Sequence, residues 1–267
     1  MSSISTAMIL AAGFGQRLQP LSKIRPKALF PVLNRTMLHY WLSNLREYGV
    51  ETVVINVHYL ADAIIQAVRE MKDEFVDLQI LVVEEKERIL GTGGGIKHAL
   101  KFLKGPFLIV NVDIFTDISL AQLTMAHLVA SNCLATVAVV DYPTKANVSL
   151  GPGDALLGFR ASKPLPGEVR RMHGAGLMVL DEVSDLPDGP SDIIELLSSA
   201  RLAGAKVQVA PFPQVYWADI GTLSDYWALN AHLAQGRVVT QEKLEATLSS
   251  FVVIENGAKV SSGAFIK

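Results

Sequence analysis

Short apolar runs alternate with longer amphipathic stretches through the first half of the chain. Thr6 to Ala12 is a short apolar run that ends in glycine, and Glu51 to Val57, Leu78 to Val83 and Pro106 to Val112 repeat the pattern with many Val, Ile and Leu residues. Such runs predict buried strands. Between them, Met37 to Tyr48, Ala61 to Met71, Gly95 to Leu103 and Ser119 to Ala130 carry helical periodicity and are long enough for crossovers. The alternation predicts an α/β fold, a Rossmann-like, mostly parallel sheet flanked by helices, with ligands beyond the carboxyl ends of the strands.

From Leu134 the pattern loosens. Leu134 to Val140 reads as another strand, then Gly151 to Asp154 and Lys163 to Gly167 punctuate shorter strands, the pattern of a mixed or antiparallel lobe over a second substrate. Ser191 to Ala203 and Thr222 to Gln235 read as helices, with Ser191 and Thr222 as N-caps. In the last stretch Leu248, Ile254, Val260 and Ile266 recur at every sixth residue, with Gly257 and Gly263 in the same rhythm. That period predicts a small β-helix-like segment, and one coil of about 18 residues cannot bury its own faces. It needs the main lobe, another subunit or more repeats to rest on. The expected division is a main domain over residues 1–240 and a partial left-handed β-helix over 241–267, the latter a potential homo-oligomer contact.

Composition narrows the classes. With 267 residues, 50% hydrophobic and 19% charged, the chain can bury a full core. The balance of 24 Lys+Arg against 26 Asp+Glu leaves no basic footprint for nucleic acid. Cys133 is the single cysteine, which excludes an intramolecular disulfide framework and multi-cysteine metal sites and fits a reducing cytoplasm. The start, Met1 to Thr6, lacks the basic and apolar regions of a signal peptide, and no stretch approaches the roughly 20 apolar residues of a membrane span. The expectation is a cytoplasmic protein without a membrane partner.

The segment Leu10-Ala11-Ala12-Gly13-Phe14-Gly15-Gln16-Arg17-Leu18 leaves the first strand into a loop whose small residues let backbone amides approach a phosphate or base. A plain tight turn uses the same glycines. The dinucleotide fingerprint needs a glycine where Leu18 stands, and no Gly-Lys-Ser/Thr completes a P-loop. The continuation through Pro20 to Arg25-Pro26-Lys27-Ala28-Leu29 adds a second cation in a loop stiffened by prolines.

Leu10 to Leu29 resembles the signature of the sugar-1-phosphate nucleotidyltransferases, and further stretches match in order over roughly residues 6–235. The resemblance implies a nucleotide-diphospho-sugar transferase type of fold. It assigns Arg17 and Lys27 to the triphosphate and the transition state, and the Leu10, Ala11, Ala12, Gly13 and Gly15 backbone to the nucleotide. Leu90-Gly91-Thr92-Gly93-Gly94-Gly95-Ile96 resembles the loop against base and ribose, although a turn before a helix has the same composition. Val110-Asn111-Val112-Asp113 brings Asn111 to the substrate, and Asp113 with Asp219, in Tyr216 to Thr222, corresponds to the Mg²⁺ ligands of the family. Either aspartate could instead cap a helix. Lys163 resembles a lysine that contacts the sugar phosphate, though Ser162 stands where the pattern has glutamate, and Gly176 ends a small-residue stretch, His173 to Gly176, beside the sugar.

Asn56 and His58 end the second strand and could face the nucleotide. Cys133 reads as a small core residue, and Tyr216, Trp217, Tyr226 and Trp227 as core and pocket wall. The implied reaction joins an NTP and a sugar 1-phosphate with release of pyrophosphate. UTP is favoured over GTP, and muramic acid, mannose or heptose phosphates are the acceptor types. The competing readings are a dinucleotide-dependent oxidoreductase and a catalytically silent regulatory relative that binds sugar nucleotides.

Overall fold

The computed structural model describes residues 4–181, 183 and 186–234. The six-residue repeat and the proposed boundary at 240 lie outside the described residues.

The strands are β1 (Thr6–Leu10), β2 (Pro31–Val32), β3 (Arg35–Thr36), β4 (Thr52–Val57), β5 (Gln79–Glu84), β6 (Phe107–Asn111), β7 (Ile114–Thr116), β8 (Cys133–Val140), β9 (Val148–Leu150), β10 (Leu156–Phe159), β11 (Arg170–Leu180), β12 (Lys206–Phe212) and β13 (Trp217–Asp219). The helices are α1 (Met37–Tyr48), α2 (Ala61–Glu70), α3 (Gly91–Ala99), α4 (Leu120–Leu128), α5 (Ile193–Leu202) and α6 (Leu223–Ala234). The central sheet runs β5-β4-β1-β6-β11-β8-β12. Only β11 is antiparallel to its neighbours, so the sheet is mostly parallel as the alternating pattern predicts.

Both faces are covered. Ala7, Ile9, Val53, Ile55, Leu108 and Val110 point to one face, into a core shared with Leu38, Leu42, Ile64 and Leu123 of α1, α2 and α4. Met8, Val54, Phe107 and Ile109 point to the other, against Ile96 of α3 and Leu197 of α5. A strand buried on both faces shows a continuous apolar run in sequence, which is why these strands were legible without alternation. The antiparallel β9 and β10 extend the sheet from the first half of β11, the mixed lobe that the punctuated sequence foreshadows.

The helix starts differ from expectation in two places. α3 begins at Gly91, so the glycine loop is the first turn of the helix. α5 is capped by Asp192, whose Oδ1 accepts from Ile194 N at 2.8 Å and Glu195 N at 3.2 Å, and not by Ser191. Ser191 is tied elsewhere, its carbonyl accepting from Gly93 N and its amide donating to the Leu90 carbonyl, each at 2.9 Å. Thr222 does cap α6, its Oγ1 accepting from Asp225 N at 3.1 Å. No helix among the described residues is long and apolar enough to cross a membrane.

Candidate active site

The chain passes from β1 to β4 on one side and later returns to place β6 on the other, so the strand order reverses at β1. Such a reversal opens a crevice beyond the carboxyl ends of the strands. A cavity of about 420 Å³ lies there, bordered by Leu10 at the end of β1 and Asn111 at the end of β6, with Arg17, Asp113 and Asp219 among its walls. Thr92 and Gly176 also line it.

Arg17 stands in a short 3-10 turn, Gln16–Leu18, that Gly15 opens with φ 61°, a left-handed backbone that favours glycine. The Arg17 guanidinium and the Asp219 carboxylate both approach Gly221, where a Cβ would lie 2.9 Å from Asp219 Oδ2 and 3.3 Å from Arg17 Nη2. Asp113 and Asp219 sit side by side although 106 positions apart (219 − 113). β13 pairs with β7, Asp219 opposite Ile114, and Ile220 N donates to the Asp113 carbonyl at 2.9 Å.

Each carboxylate holds an ammonium. Lys27 pairs with Asp113, and Lys145 Nζ lies 2.6 Å from Asp219 Oδ1 and 3.9 Å from Asp225 Oδ2. Lys27 is 13% exposed and Asp113 24%, less solvated than an ordinary surface pair. Lys145 also lies over the rings of Tyr142 at 5.5 Å and Trp217 at 5.9 Å. Burial works against its charge, but the hydrogen bond and charge of Asp219, with the charges of Asp225 and Tyr142, outweigh it and hold the ammonium above the usual lysine range. His173 Nδ1–H donates to the Lys145 carbonyl at 2.5 Å and fixes the turn. Burial holds the His173 imidazole below its ordinary value, against the opposing effects of that bond and of Asp219.

The other sequence-derived candidates are placed as follows. Ala11 and Ala12 are buried, and Gly13 is open with no atom within 4 Å of a would-be Cβ. Gly91, Gly93 and Gly94 pack on the 189–191 segment, where a Cβ on Gly94 would lie 2.3 Å from the Gly189 carbonyl oxygen. Gly94 also borders a second cavity, of about 650 Å³, with Glu85, Leu90 and Lys97. Gly176 has φ 74° and leaves no room for a side chain, since a Cβ would meet Ile114 at 2.9 Å and Asn111 at 3.0 Å. Lys163 lies on the exposed turn between β10 and β11, not among the residues lining the cavity. Asn56 and His58 are occupied internally, Asn56 by Ala11 N and Glu85, His58 by the Glu85 carbonyl. Cys133 is buried, its thiol donating to the Ala135 carbonyl.

Sequence reasoning missed Lys145, Asn147, Arg160 and Asp192. All but Lys145 line the cavity, and Arg160 Nη2 lies 3.1 Å from Asp192 Oδ2. Strand pairing, not a sequence motif, brings Lys145 to the site. β8 lies antiparallel to β11, which lies antiparallel to β6, so the carboxyl end of β8 reaches the same rim as that of β1. The first cation after β8 is Lys145.

A sequence profile described as nucleotidyl transferase matches residues 6–151. The chain is 31% identical over 250 residues to the N-acetylmuramate alpha-1-phosphate uridylyltransferase of Caulobacter vibrioides, covering 86% of this chain and 97% of that protein. It is 29% identical over 221 residues to the D-glycero-alpha-D-manno-heptose 1-phosphate guanylyltransferase of Campylobacter jejuni, covering 83% and 96%. In fold it matches the crystal structure of Yersinia pseudotuberculosis HddC complexed with GMP-PN, with a TM-score of 0.68 at 22% identity over 85% of this chain and 99% of that one. A profile match over more than half the residues, joined to a relative aligned over nearly its whole length, shows that the chain belongs to the sugar-1-phosphate nucleotidyltransferases of the nucleotidyl transferase family.

Proposed function

We propose that the protein transfers the nucleotidyl group of an NTP to a sugar 1-phosphate and releases pyrophosphate. The observation that carries this reading is the convergence of Arg17, Asp113 and Asp219 on one cavity at the switch point of the sheet, with Lys27 and Lys145 paired to the two carboxylates from behind its lining. In the reaction an oxygen of the sugar phosphate forms a bond to the α-phosphorus while the bond from that phosphorus to the bridging oxygen of the β-phosphate breaks. The leaving pyrophosphate takes the electron pair. The attacking oxygen is already an anion, so no proton needs to be removed, and the barrier is one of positioning and charge neutralisation. Arg17 and Lys27 serve the triphosphate in this reading, and Lys145 lies towards the acceptor.

Two adjacent carboxylates are hard oxygen donors of the kind magnesium takes. Magnesium is commonly held by one or two carboxylates and completes its shell from substrate phosphates and water. Asp113 and Asp219 would hold Mg²⁺, and when bound it would supply charge neutralisation at the phosphates. The lysines that occupy these carboxylates are then free to turn to phosphate oxygens.

The nucleotide in this reading is UTP, after the uridylyltransferase relative, with GTP the competing outcome, and the acceptor is a hexose- or heptose-type 1-phosphate. The test is pyrophosphate release from each NTP with a panel of sugar 1-phosphates, with and without Mg²⁺. Release that needs Mg²⁺ is expected, and Lys27→Ala and Asp113→Asn should each lose most of it while unfolding at the wild-type midpoint. Silence across the panel with nucleotide binding retained would mark a binding protein instead, and near wild-type rates in either variant would overturn the site.

A further inference from the structure

Two buried polar side chains outside the reacting centre join the two nucleotide-side loops. Asn56, 3% exposed at the end of β4, accepts from Ala11 N at 2.9 Å through Oδ1. Its Nδ2 donates to Glu85 Oε1 at 2.7 Å. Glu85, 2% exposed just after β5, uses Oε2 to accept from Leu90 N at 2.7 Å, at the cap of α3. Its backbone is held as well, the amide by the Val57 carbonyl at 2.8 Å and the carbonyl by His58 Nδ1–H at 2.5 Å. Gly95 faces the pair, where a Cβ would lie 2.7 Å from Asn56 Nδ2 and 2.8 Å from Glu85 Oε1.

The chain of bonds Ala11–Asn56–Glu85–Leu90 therefore spans from the loop after β1 to the first turn of α3. Leu10, next to Ala11, and Thr92, in the first turn of α3 two residues after Leu90, both line the cavity. Each of the four groups bonds to the next, and both side chains are almost wholly buried. A buried carboxylate would be a costly way to fill this space if packing were the only demand. Its value is directional, since two acceptor oxygens fix two donors that belong to different elements.

We propose that Glu85 and Asn56 are positioning residues that set the spacing and orientation of the Leu10–Gly15 and Leu90–Gly93 segments between which the nucleotide binds. This rests on the function proposed above. The hydrogen-bond polarity gives a sharp test. Glu85→Gln puts an amide donor where an acceptor stood. With its oxygen kept on Leu90 N, its new amide nitrogen meets Asn56 Nδ2, and turning Asn56 sets that amide against Ala11 N. One buried donor is orphaned in either arrangement. The double variant Asn56→Asp, Glu85→Gln restores every bond. The carboxylate introduced on β4 accepts from Ala11 N and from the side-chain amide nitrogen introduced after β5, and the oxygen of that same amide accepts from Leu90 N, with the same total charge.

The measurement is calorimetric titration of UTP and of GTP with Mg²⁺, beside kcat and KM for nucleotide and for sugar 1-phosphate, on chains whose unfolding midpoints are recorded. Glu85→Gln is expected to weaken nucleotide binding at least tenfold, with kcat and the sugar 1-phosphate KM within threefold of wild type. The double variant should recover nucleotide affinity to within threefold. Unchanged affinity in Glu85→Gln, a loss shared equally by both substrates, or a double variant no better than the single one overturns the proposal. If Glu85→Gln does not fold, a folded double variant with wild-type affinity supports the proposal and an unfolded one overturns it. Should the wild-type chain bind UTP or GTP but release no pyrophosphate, the functional reading fails while the titrations still judge the positioning pair. A wild-type chain that binds neither overturns both.

Discussion

Lys145 owes its place to its neighbours rather than to any motif. Tyr142, Trp217 and His173 pack edge to face around it, with Tyr142 and Trp217 ring centres 5.2 Å apart and His173 and Trp217 4.9 Å apart. These contacts, with the bond from His173 to the Lys145 carbonyl, direct the ammonium to Asp219. Lys163, which the proline after it makes conspicuous in sequence, is exposed and outside the cavity lining. We expect Lys163→Ala to keep pyrophosphate release within about twofold and Lys145→Ala to lose at least tenfold, about 1.4 kcal/mol of transition-state stabilisation. The reverse ranking in a steady-state assay would return the acceptor side to Lys163.

A second residue-scale consequence concerns pH. His127 is 3% exposed and its Nδ1 lies 3.0 Å from Thr136 Oγ1. Burial depresses its protonation, partly opposed by the charge of Asp181. An unfolded histidine takes a proton near pH 6.5 whereas the folded one resists, so the unfolded state binds more protons as pH falls. This contribution to stability is full above the unfolded value and is lost as pH drops through the folded one, and His173 acts in the same direction. The denaturant midpoint should fall between pH 7.5 and pH 5.5, and His127→Gln should make that fall shallower. An unaltered slope in the variant would show that His127 does not carry the effect.

At the scale of elements, legibility depended on whether the local sequence and the tertiary packing agreed. α1 runs over the same Met37–Tyr48 that its periodicity predicts, because Thr36 caps it with a bond to His39 N and Gly49 closes it at φ 101°. α3 disagrees with local propensity. Glycine in a helix costs about 1 kcal/mol against alanine, so Gly91 to Gly94 read as a loop. Packing reverses the preference, for the 189–191 segment lies so near that only glycine fits.

Gly94→Ala sets these effects against each other. The gain in propensity is about 1 kcal/mol, while a Cβ 2.3 Å from the Gly189 carbonyl oxygen must push two backbones apart, an overpacking cost of about 1–3 kcal/mol. Net destabilisation is expected in denaturant unfolding. Gly13→Ala, with open space around the new atom, should leave stability within about 0.5 kcal/mol. Equal stabilities for the two variants would remove packing as the reason for the glycine turn. Arg17, Asp113 and Asp219 were legible because each lies next to a strand end or in the motif that carries the resemblance. Lys145 was not, because its approach to Asp219 comes from the pairing of β8 with β11 and of β13 with β7.

Over the whole molecule, the reversed strand β11 decides how the two halves of the site are joined. Its residues Leu177 to Leu180 pair with β6, and the same stretch pairs with β8 through Met178 to Leu180. Without it the β5-β4-β1-β6 half, which carries Arg17 and Asp113, would have no hydrogen-bonded continuity with β8 and β12. Trp217 crosses the same seam, its Nε1–H donating to the Ala175 carbonyl at 2.9 Å while its ring packs in one core with Trp41 of α1. A sheet continuous through its middle strand and a core shared by both halves favour one cooperative unit over two. Unfolding followed by tryptophan fluorescence, which reports on buried Trp41 and Trp217, should therefore coincide with unfolding followed by far-ultraviolet circular dichroism. Saturating UTP with Mg²⁺ should raise both transitions together. A fluorescence transition that precedes loss of secondary structure would show that the core shared by Trp41 and Trp217 opens before the sheet does, and would rule out one cooperative unit.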